Sequence, residues 1–194
     1  LADEIVPIEV NGQRIDQDGC LRPTTDLEGL AGLKLAFDEN GTVTAGTSSP
    51  LTDGAAATLV CSAEYAKNNG LTPLARIASF AVSGCKPETM GLGPIFSSRK
   101  ALARAGIKAS DLDVIEINEA FATQSIASIR DLELDVSKVN VDGGAIAIGH
   151  PLGATGARIT GKAAQLLKRD GGRYALSTQC IGGGQGIATI LEAA

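Results

Sequence analysis

Short apolar runs in the second part of the chain alternate with longer amphipathic segments. Four of these runs have the length and apolar pattern of buried strands, and they are 74–82, 112–118, 173–180 and 184–191. Three segments carry apolar residues at helical spacing, and they are 96–105, 119–132 and 153–168. The residues 181–184 between the last two strands, Ile-Gly-Gly-Gly, predict a hairpin.

The first seventy residues give a less regular pattern. Residues 4–10 predict a short extended segment, which Pro7 limits to the edge of a sheet. A short helix is expected to begin at Thr24 or Thr25, with Leu27, Leu30 and Leu33 on one face. Residues 42–45 predict a short strand. Residues 54–68 predict a helix that is apolar on nearly all sides, so we expect it to be buried as the middle layer beneath another domain.

The order of elements is βαβαβαββ after a long entry segment, with a short extended stretch at 136–141. Strands that alternate with helices predict an α/β fold built in layers. We expect a mixed, mostly parallel sheet with helices on both faces and an antiparallel hairpin at its end. The sequence contains no internal repeat and no low-complexity linker.

Composition and charge narrow the class of protein. The chain has 194 residues, which fits one domain, and its net charge of −5 argues against a nucleic-acid partner. No apolar run is long enough to span a bilayer, and the first residues do not resemble a secretory signal. Because the sequence does not begin with Met, we expect a processed chain, a fragment or the ordered part of something longer.

The cysteines argue against a metal site and for a reducing compartment. The chain has four cysteines and one histidine, and none of the cysteines forms a C-x-x-C pair. We therefore expect free thiols in the cytoplasm or in an organelle matrix. The four cysteines are Cys20, Cys61, Cys85 and Cys180.

Several chemically capable residues follow the ends of predicted strands. In α/β sheets, ligands bind at loops outside the carboxyl ends of the strands. If these loops share one end of the sheet, five side chains can converge, namely Ser49, Met90, Asn118, His150 and Cys180. Each also has an ordinary interpretation: Asn118 as a helix cap, Cys180 as a small buried hydrophobe, Ser49 as a turn residue, Met90 as part of the core and His150 as a structural or surface residue.

A nucleotide site is disfavoured by the remaining glycine-rich segment. Residues 182–186, Gly-Gly-Gly-Gln-Gly, lack a lysine and precede a strand instead of a helix. A dinucleotide-binding domain is also excluded, because no strand–GxGxxG–helix unit is present.

Three motifs resemble the C-terminal motifs of the thiolase family, in that family's order and spacing. They are Asn-Glu-Ala-Phe-Ala at 118–122, the long glycine-rich segment 140–158 around His150, and Cys-Ile-Gly-Gly-Gly at 180–184. Residues 43–49, 53–57 and 90–94 are further matches, so the resemblance covers essentially the whole chain. It leans toward the 3-ketoacyl-CoA thiolases of fatty-acid β-oxidation.

The resemblance implies ping-pong acyl transfer, either by thiolysis or, in the reverse direction, by Claisen condensation. His150 would be the base that activates a nucleophilic cysteine and would also hold a thioester oxygen. Cys180 would be the second acid/base. Asn118 would fix a water that forms one oxyanion hole with His150, and the backbone N–H of Gly182 would contribute to the other.

The resemblance also implies a binding site for coenzyme A and acyl-CoA as substrates, with no cofactor and no metal. Ser49, Met90, Ala120 and Phe121 would line the tunnel for the pantetheine arm. Arg22 and Phe37 match positions near the nucleotide of coenzyme A.

The acylated cysteine of thiolases lies in an N-terminal half, and none of Cys20, Cys61 and Cys85 sits in a matching motif. We therefore expect residues 1–194 to be a thiolase C-terminal domain, with 1–40 as an entry segment from the missing N-terminal half and loop region. That half would come from the same longer chain or from a separate subunit. We expect this chain alone to be inactive, and the whole enzyme to be a homo-oligomer.

Two alternatives remain beside this hypothesis. One is a subunit without catalytic activity that only binds coenzyme A or acts as a scaffold in a thiolase-like complex. The other is a relative of the ketoacyl synthases, which use two histidines where this chain has one.

Overall fold

The structure is a computed structural model that describes residues 2–194. Its strands are β1 (Ile8–Val10), β2 (Gln13–Ile15), β3 (Ala75–Gly84), β4 (Val114–Ile117), β5 (Tyr174–Ile181) and β6 (Gln185–Ala193). Its α-helices are α1 (Leu27–Ala31), α2 (Ala63–Asn68), α3 (Gly93–Ala105), α4 (Ala122–Asp131), α5 (Ala145–Ile148) and α6 (Thr155–Asp170). The four strands and three helices predicted after residue 74 are confirmed within a few residues at each end.

Four strands form the main sheet, in the order β3-β6-β5-β4. The strands β4 and β5 are parallel, with Ile117 opposite Thr178, whereas β5–β6 and β3–β6 are antiparallel. The α/β class, the mixed sheet and the terminal hairpin are confirmed. The expectation of a mostly parallel sheet is wrong, because β6 turns back from β5 and inserts between β5 and β3, so two of the three pairings are antiparallel.

Helices cover both faces of this sheet, as expected. One face carries α3 and contacts a core that includes Ile115, Ile117, Leu176 and Ile190. The other face carries α6, whose Ala163, Leu166 and Leu167 pack on Val114, Ala175 and Leu191. Neighbouring residues of one strand thus point to opposite cores, which is the period of two that the apolar pattern indicated.

The predicted long buried helix is wrong over most of its length. Residues 54–62 have no regular secondary structure, and only α2 is helical at the end of the segment. Leu59 and Val60 are 72% and 68% exposed, so the segment is not a middle layer here. An apolar run without periodicity does not distinguish a buried helix from a buried strand, and the residues of this run are exposed.

Smaller differences also occur near the start of the chain. Residues 8–15 form a separate two-stranded hairpin of β1 and β2. The N-cap of α1 is Asp26 instead of Thr24 or Thr25, and its Oδ1 accepts a hydrogen bond from Gly29 N at 2.7 Å. The strand expected at 42–45 is reduced to one bridge between Leu35 and Thr44.

The extended stretch expected at 136–141 is mostly replaced by a 3₁₀ turn, Val136–Lys138, after which Val139 forms a parallel bridge to Ile115 of β4. Within residues 2–194, no helix is long and apolar enough to cross a membrane.

Candidate active site

The carboxyl ends of β4 and β5 place Asn118 and Cys180 on neighbouring strands. The backbone N–H of Asn118 donates to Thr178 O at 3.0 Å and continues the parallel pairing beyond Ile117. Asn118 is fully buried, and neither side-chain amide atom has a hydrogen-bond partner among residues 2–194. Because an unsatisfied buried polar group costs about 1–3 kcal/mol, this amide is suited to hold a water or a ligand atom.

Cys180 is half-buried near the end of β5, opposite Gly186 of β6. Burial raises the pKa of its thiol, and the neighbouring Cys85 raises it further. At neutral pH the side chain is therefore a thiol that can donate a proton, and it becomes a base only after losing that proton.

The turn after Cys180 is fixed by a close approach of two backbones. Gly184 has φ of +93°, and its carbonyl accepts from Cys85 N at 2.7 Å. A Cβ at Gly184 would overlap the backbone of Cys85, so glycine is required there on both grounds. Gly182 is exposed in the same turn.

His150 lies in the loop between α5 and α6, directly after Gly149, whose φ is +89°. Its ring Nδ1 is 2.7 Å from Thr155 Oγ1, and its backbone N–H donates to Thr52 Oγ1 at 3.2 Å. Burial lowers the pKa of the imidazole, and the positive charge of Arg158 lowers it further. The neutral ring that results can exchange a proton near neutral pH.

The loop 46–53 joins the His150 loop to the Asn118 loop. Ser49 N donates to Ala120 O at 3.1 Å, and Ser48 forms a bridge with Phe121. Ser49 and His150 also line one pocket of about 360 Å³. The remaining lining residues of that pocket are Pro50, Leu51, Thr52, Asp53 and Leu152.

The structure also brings together two residues that are distant in sequence. The rings of Phe37 and Phe121 are 6.1 Å apart at an interplanar angle of 82°, an edge-to-face contact. Phe37 is nevertheless 87% exposed. Met90 lies on the 3₁₀ turn Pro87–Leu92, which packs against β5, β6 and α4. Arg22 is exposed, and the structure does not join it to the other predicted residues.

Sequence reasoning missed a polar anchor between the two motif loops. Asn140 has φ of +47°, and its amide accepts from Ile117 N at 2.9 Å and donates to Ile117 O at 2.9 Å. It also donates to Glu119 Oε1 at 2.6 Å, while Glu119 Oε2 accepts from Ile146 N at 3.1 Å. This connection joins the end of β4 to α5 and so fixes the segment that leads to His150.

The sequence contained a partial signal for this anchor. Asparagine tolerates the left-handed conformation better than most residues, and it precedes a turn that contains two glycines. A Cβ at Gly144 would overlap the Glu119 carboxylate, so a larger residue there would displace that carboxylate. Thr52 and Thr155 carried no comparable signal, since buried threonines commonly bond only their own helix or turn.

No group of three or more His, Cys, Asp or Glu side chains in the part of the chain that the structure describes could hold a metal ion. All four cysteines are free.

The chain matches the models of two protein-family domains. Residues 71–193 match the model of the thiolase C-terminal domain, and residues 1–64 match that of the thiolase N-terminal domain. The chain is 52% identical to a 3-ketoacyl-CoA thiolase of Marinobacter nauticus, over 98% of this chain and 51% of the relative.

Solved structures agree with this assignment. Human mitochondrial 3-ketoacyl-CoA thiolase in complex with CoA superposes with a TM-score of 0.89 at 46% identity, over 97% of this chain and 48% of that chain. Acetyl-CoA acetyltransferase of Bacillus anthracis gives a TM-score of 0.92 at 43% identity, over 99% and 50%. The chain thus spans about half the length of the proteins it matches.

The expectation that the N-terminal half is missing is not confirmed in that form. The N-terminal model matches residues 1–64, so part of that domain is present on this chain. The loop 46–53, which contacts both motif loops, lies within that part. The domain models, the overall identity and the superposed folds agree, and the chain belongs to the thiolase family.

Proposed function

We propose that this chain carries the acid–base and oxyanion groups of a thiolase that transfers acyl groups between 3-ketoacyl-CoA and coenzyme A. The observation that supports this most is the placement of Asn118 and Cys180 on adjacent parallel strand ends, with His150 tied to the same edge through the loop 46–53. A buried amide without a partner, a protonated thiol and a neutral imidazole are suited to acyl transfer by proton movement.

In the thiolysis direction, His150 takes the proton of a nucleophilic cysteine. The thiolate attacks the 3-keto carbon, and cleavage of the bond to the α-carbon leaves the shortened acyl group on the cysteine and releases the enolate of acetyl-CoA. Cys180 protonates that enolate, and its thiolate then takes the proton of the incoming CoA thiol. The CoA thiolate attacks the acyl-enzyme carbonyl, and the nucleophilic cysteine leaves as a thiolate that regains its proton from His150. A general acid or base of this kind typically contributes about 10²–10⁴-fold.

Charge that develops on oxygen would be held by two sets of donors. A water fixed by Asn118 would stabilise one oxyanion together with His150, and the backbone N–H of Gly182 would contribute to the other. The full burial of Asn118 supports its role, because a fixed donor is strongest where bulk water is excluded.

We propose that the CoA substrates lie along the loops that contact one another at this edge. Ser49, Met90, Ala120 and Phe121 would line the path of the pantetheine arm, and the contact between Phe37 and Phe121 supports placing Phe37 near the nucleotide. Arg22 is assigned to the nucleotide by the family motif alone. Coenzyme A and acyl-CoA act as substrates, and neither a cofactor nor a metal is proposed.

We further propose that the nucleophilic cysteine comes from the rest of a thiolase N-terminal domain, on a longer chain or on a separate subunit. The segment 54–62 supports such a partner, because it is apolar, has no helix or strand, and belongs to the part that matches the N-terminal domain. A partner that covers Leu59 and Val60 would bury two large apolar side chains, each worth about 1.5–3 kcal/mol.

The whole enzyme would be a homo-oligomer in a reducing compartment, either the bacterial cytoplasm or an organelle matrix. The free thiols support the redox assignment, and the matched relatives include a bacterial and a mitochondrial enzyme.

The test combines this chain with a polypeptide that supplies the missing part of the N-terminal domain. We expect no thiolysis of acetoacetyl-CoA by the chain alone, and turnover after mixing. We expect the amides of Leu59 and Val60 to become protected from hydrogen exchange in the mixture. Thiolysis by the chain alone, at its intact mass, would show that the nucleophile is already present and refute this division of the site.

Variants then separate catalysis from binding. His150→Ala should abolish the burst of acyl-enzyme in the mixture, and Cys180→Ser should slow turnover strongly, whereas Cys20→Ser serves as the matched cysteine control. Binding of coenzyme A without turnover in the mixture would instead support a binding or scaffold subunit and reject the catalytic proposal.

A further inference from the structure

Thr155 contacts the imidazole of His150 on the side away from Nε2. It is the first residue of α6 and is fully buried. Its Oγ1 is 2.7 Å from His150 Nδ1 and 3.1 Å from Pro151 O. The hydroxyl therefore lies between a ring nitrogen, which can donate or accept, and a carbonyl, which can only accept.

A hydroxyl carries one proton and can also accept a hydrogen bond, so it can serve either form of the ring. When Nδ1 is unprotonated, the hydroxyl donates to it, and the ring proton is on Nε2. When Nδ1 carries a proton, that N–H donates to Oγ1, and the hydroxyl proton turns to Pro151 O. The change needs only a rotation about the C–O bond of Thr155.

We propose that Thr155 is a positioning residue that holds the ring of His150 in one orientation through its proton cycle, by rotating its hydroxyl between Nδ1 and Pro151 O. With the hydroxyl on Pro151 O, Nε2 is free to accept a proton, and the imidazolium that forms keeps the same contact. With the hydroxyl on Nδ1, the Nε2–H is a donor for an oxyanion.

The same arrangement explains how one ring could both accept a proton and hold an oxygen. The two tasks require opposite proton positions at Nε2, and Pro151 O offers a second acceptor within reach. That carbonyl also accepts from the backbone N–H groups of Ala154 and Thr155, at 2.9 and 3.0 Å. A shared acceptor of this kind holds the hydroxyl proton weakly, so both positions remain available.

Two charged groups lie near the ring. Arg158 lies one turn further along α6, and its charge opposes protonation of the ring. Asp53 lines the same pocket from the loop 46–53. Both remain in every variant below, so a change in titration reports the contact with Thr155.

The catalytic meaning of this contact rests on the proposed function, but the contact itself can be tested on this chain alone. Because His150 is the only histidine, labelling of histidine with ¹⁵N and ¹³C gives a single set of ring signals. Long-range ¹⁵N–¹H spectra over a pH titration give the ring pKa and show which nitrogen carries the proton.

We expect Thr155→Val to lower the equilibrium constant for protonation of the His150 ring roughly five- to tenfold. The hydroxyl of Thr155 binds the charged imidazolium more strongly than the neutral ring, so its loss disfavours the protonated form. Thr155→Ser should restore the wild-type titration within about twofold. Thr160→Val is the matched control, since Thr160 lies on the same helix and its Oγ1 bonds Ser177 Oγ at 3.1 Å. An unchanged titration in Thr155→Val, or an equal shift in the control, overturns the proposal.

Wild-type protein provides a test that does not depend on folding of the variants. Below the ring pKa, the Nδ1 proton should exchange slowly with solvent, because it is held by a buried hydroxyl, and the Nε2 proton should exchange quickly. The reverse pattern would overturn the proposal. Neither outcome depends on whether the assembled enzyme is a thiolase, so failure here is separate from failure of the proposed function.

Discussion

A carboxyl in the core beneath the candidate site gives a prediction about stability and pH. Glu116 is on β4, is 1% exposed, and its Oε1 has no hydrogen-bond partner among the described residues. Burial raises the pKa of this carboxyl from its ordinary 4.5 to about 8. Arg158 and Lys162 act in the opposite direction, but burial outweighs them. The native protein therefore holds a proton that the unfolded chain has lost.

The sign and size of the effect follow from proton linkage. Between pH 4.5 and about 8, native Glu116 is protonated and unfolded Glu116 is ionised, so the free energy of unfolding falls as pH rises. The slope is about 1.4 kcal/mol per pH unit. Over this window the loss reaches up to about 5 kcal/mol and is complete above the native pKa. Below the unfolded pKa the group has no such effect.

The substitution Glu116→Gln removes the ionisation and keeps the shape of the side chain. We expect the variant to be more stable than the wild type by about 2–5 kcal/mol near pH 9, and within about 1 kcal/mol near pH 4.5. The pKa of about 8 already includes the attraction to Arg158, and the lower bound allows for the cost of about 1–3 kcal/mol of a buried amide N–H group without a partner. Urea unfolding followed by far-ultraviolet circular dichroism suits a chain without Trp.

A matched control isolates the buried position. Glu39 is exposed, so Glu39→Gln changes one carboxyl without entering the core. It should keep the wild-type dependence of stability on pH. If Glu116→Gln also keeps that dependence, the buried carboxyl is not protonated in the native state and the reasoning fails.

Two further predictions concern local geometry and use the same unfolding assay. Asn140→Ala should lower the free energy of unfolding by about 1–3 kcal/mol, because it leaves the backbone N–H and C=O of Ile117 without their partner. A loss below about 0.5 kcal/mol would contradict the role of Asn140 as an anchor. Gly93→Ala should destabilise by more than about 2 kcal/mol, since a Cβ would overlap the backbone of β6. Gly106→Ala is the matched control, because Gly106 has φ of +71° with open space around it. It should lower the free energy of unfolding by only about 1 kcal/mol. Equal losses in the two variants would refute the packing argument for Gly93.

The sequence predicted elements well where their partners lie on the same chain. Short apolar runs located β3 to β6 because each strand packs against at least one helix that the chain also supplies. Strand direction was not predictable from that pattern, since alternation is the same in parallel and antiparallel pairs. The prediction for residues 54–62 was wrong for a different reason. Their apolar composition indicated burial, but these residues are exposed within residues 2–194.

The candidate site was also predicted only in part. Motifs located Asn118, His150 and Cys180, and the parallel pairing of β4 and β5 explains why two of them are neighbours. The side chains that hold His150 were not found. A hydrogen bond such as that from Thr155 depends on a loop conformation set by Gly149, and the sequence pattern does not specify this conformation.

The three motif residues are held by different kinds of contact, and this bears on how the site is assembled. Asn118 and Cys180 continue strands of the central sheet, whereas His150 follows a four-residue helix and depends on hydrogen bonds from its surroundings. One of those contacts is made by Thr52, in the part of the chain that matches the thiolase N-terminal domain. A partner that covers the neighbouring segment 54–62 would also restrain the loop 46–53 and, through it, His150. Docking of such a partner and placement of the proposed base would then be one event.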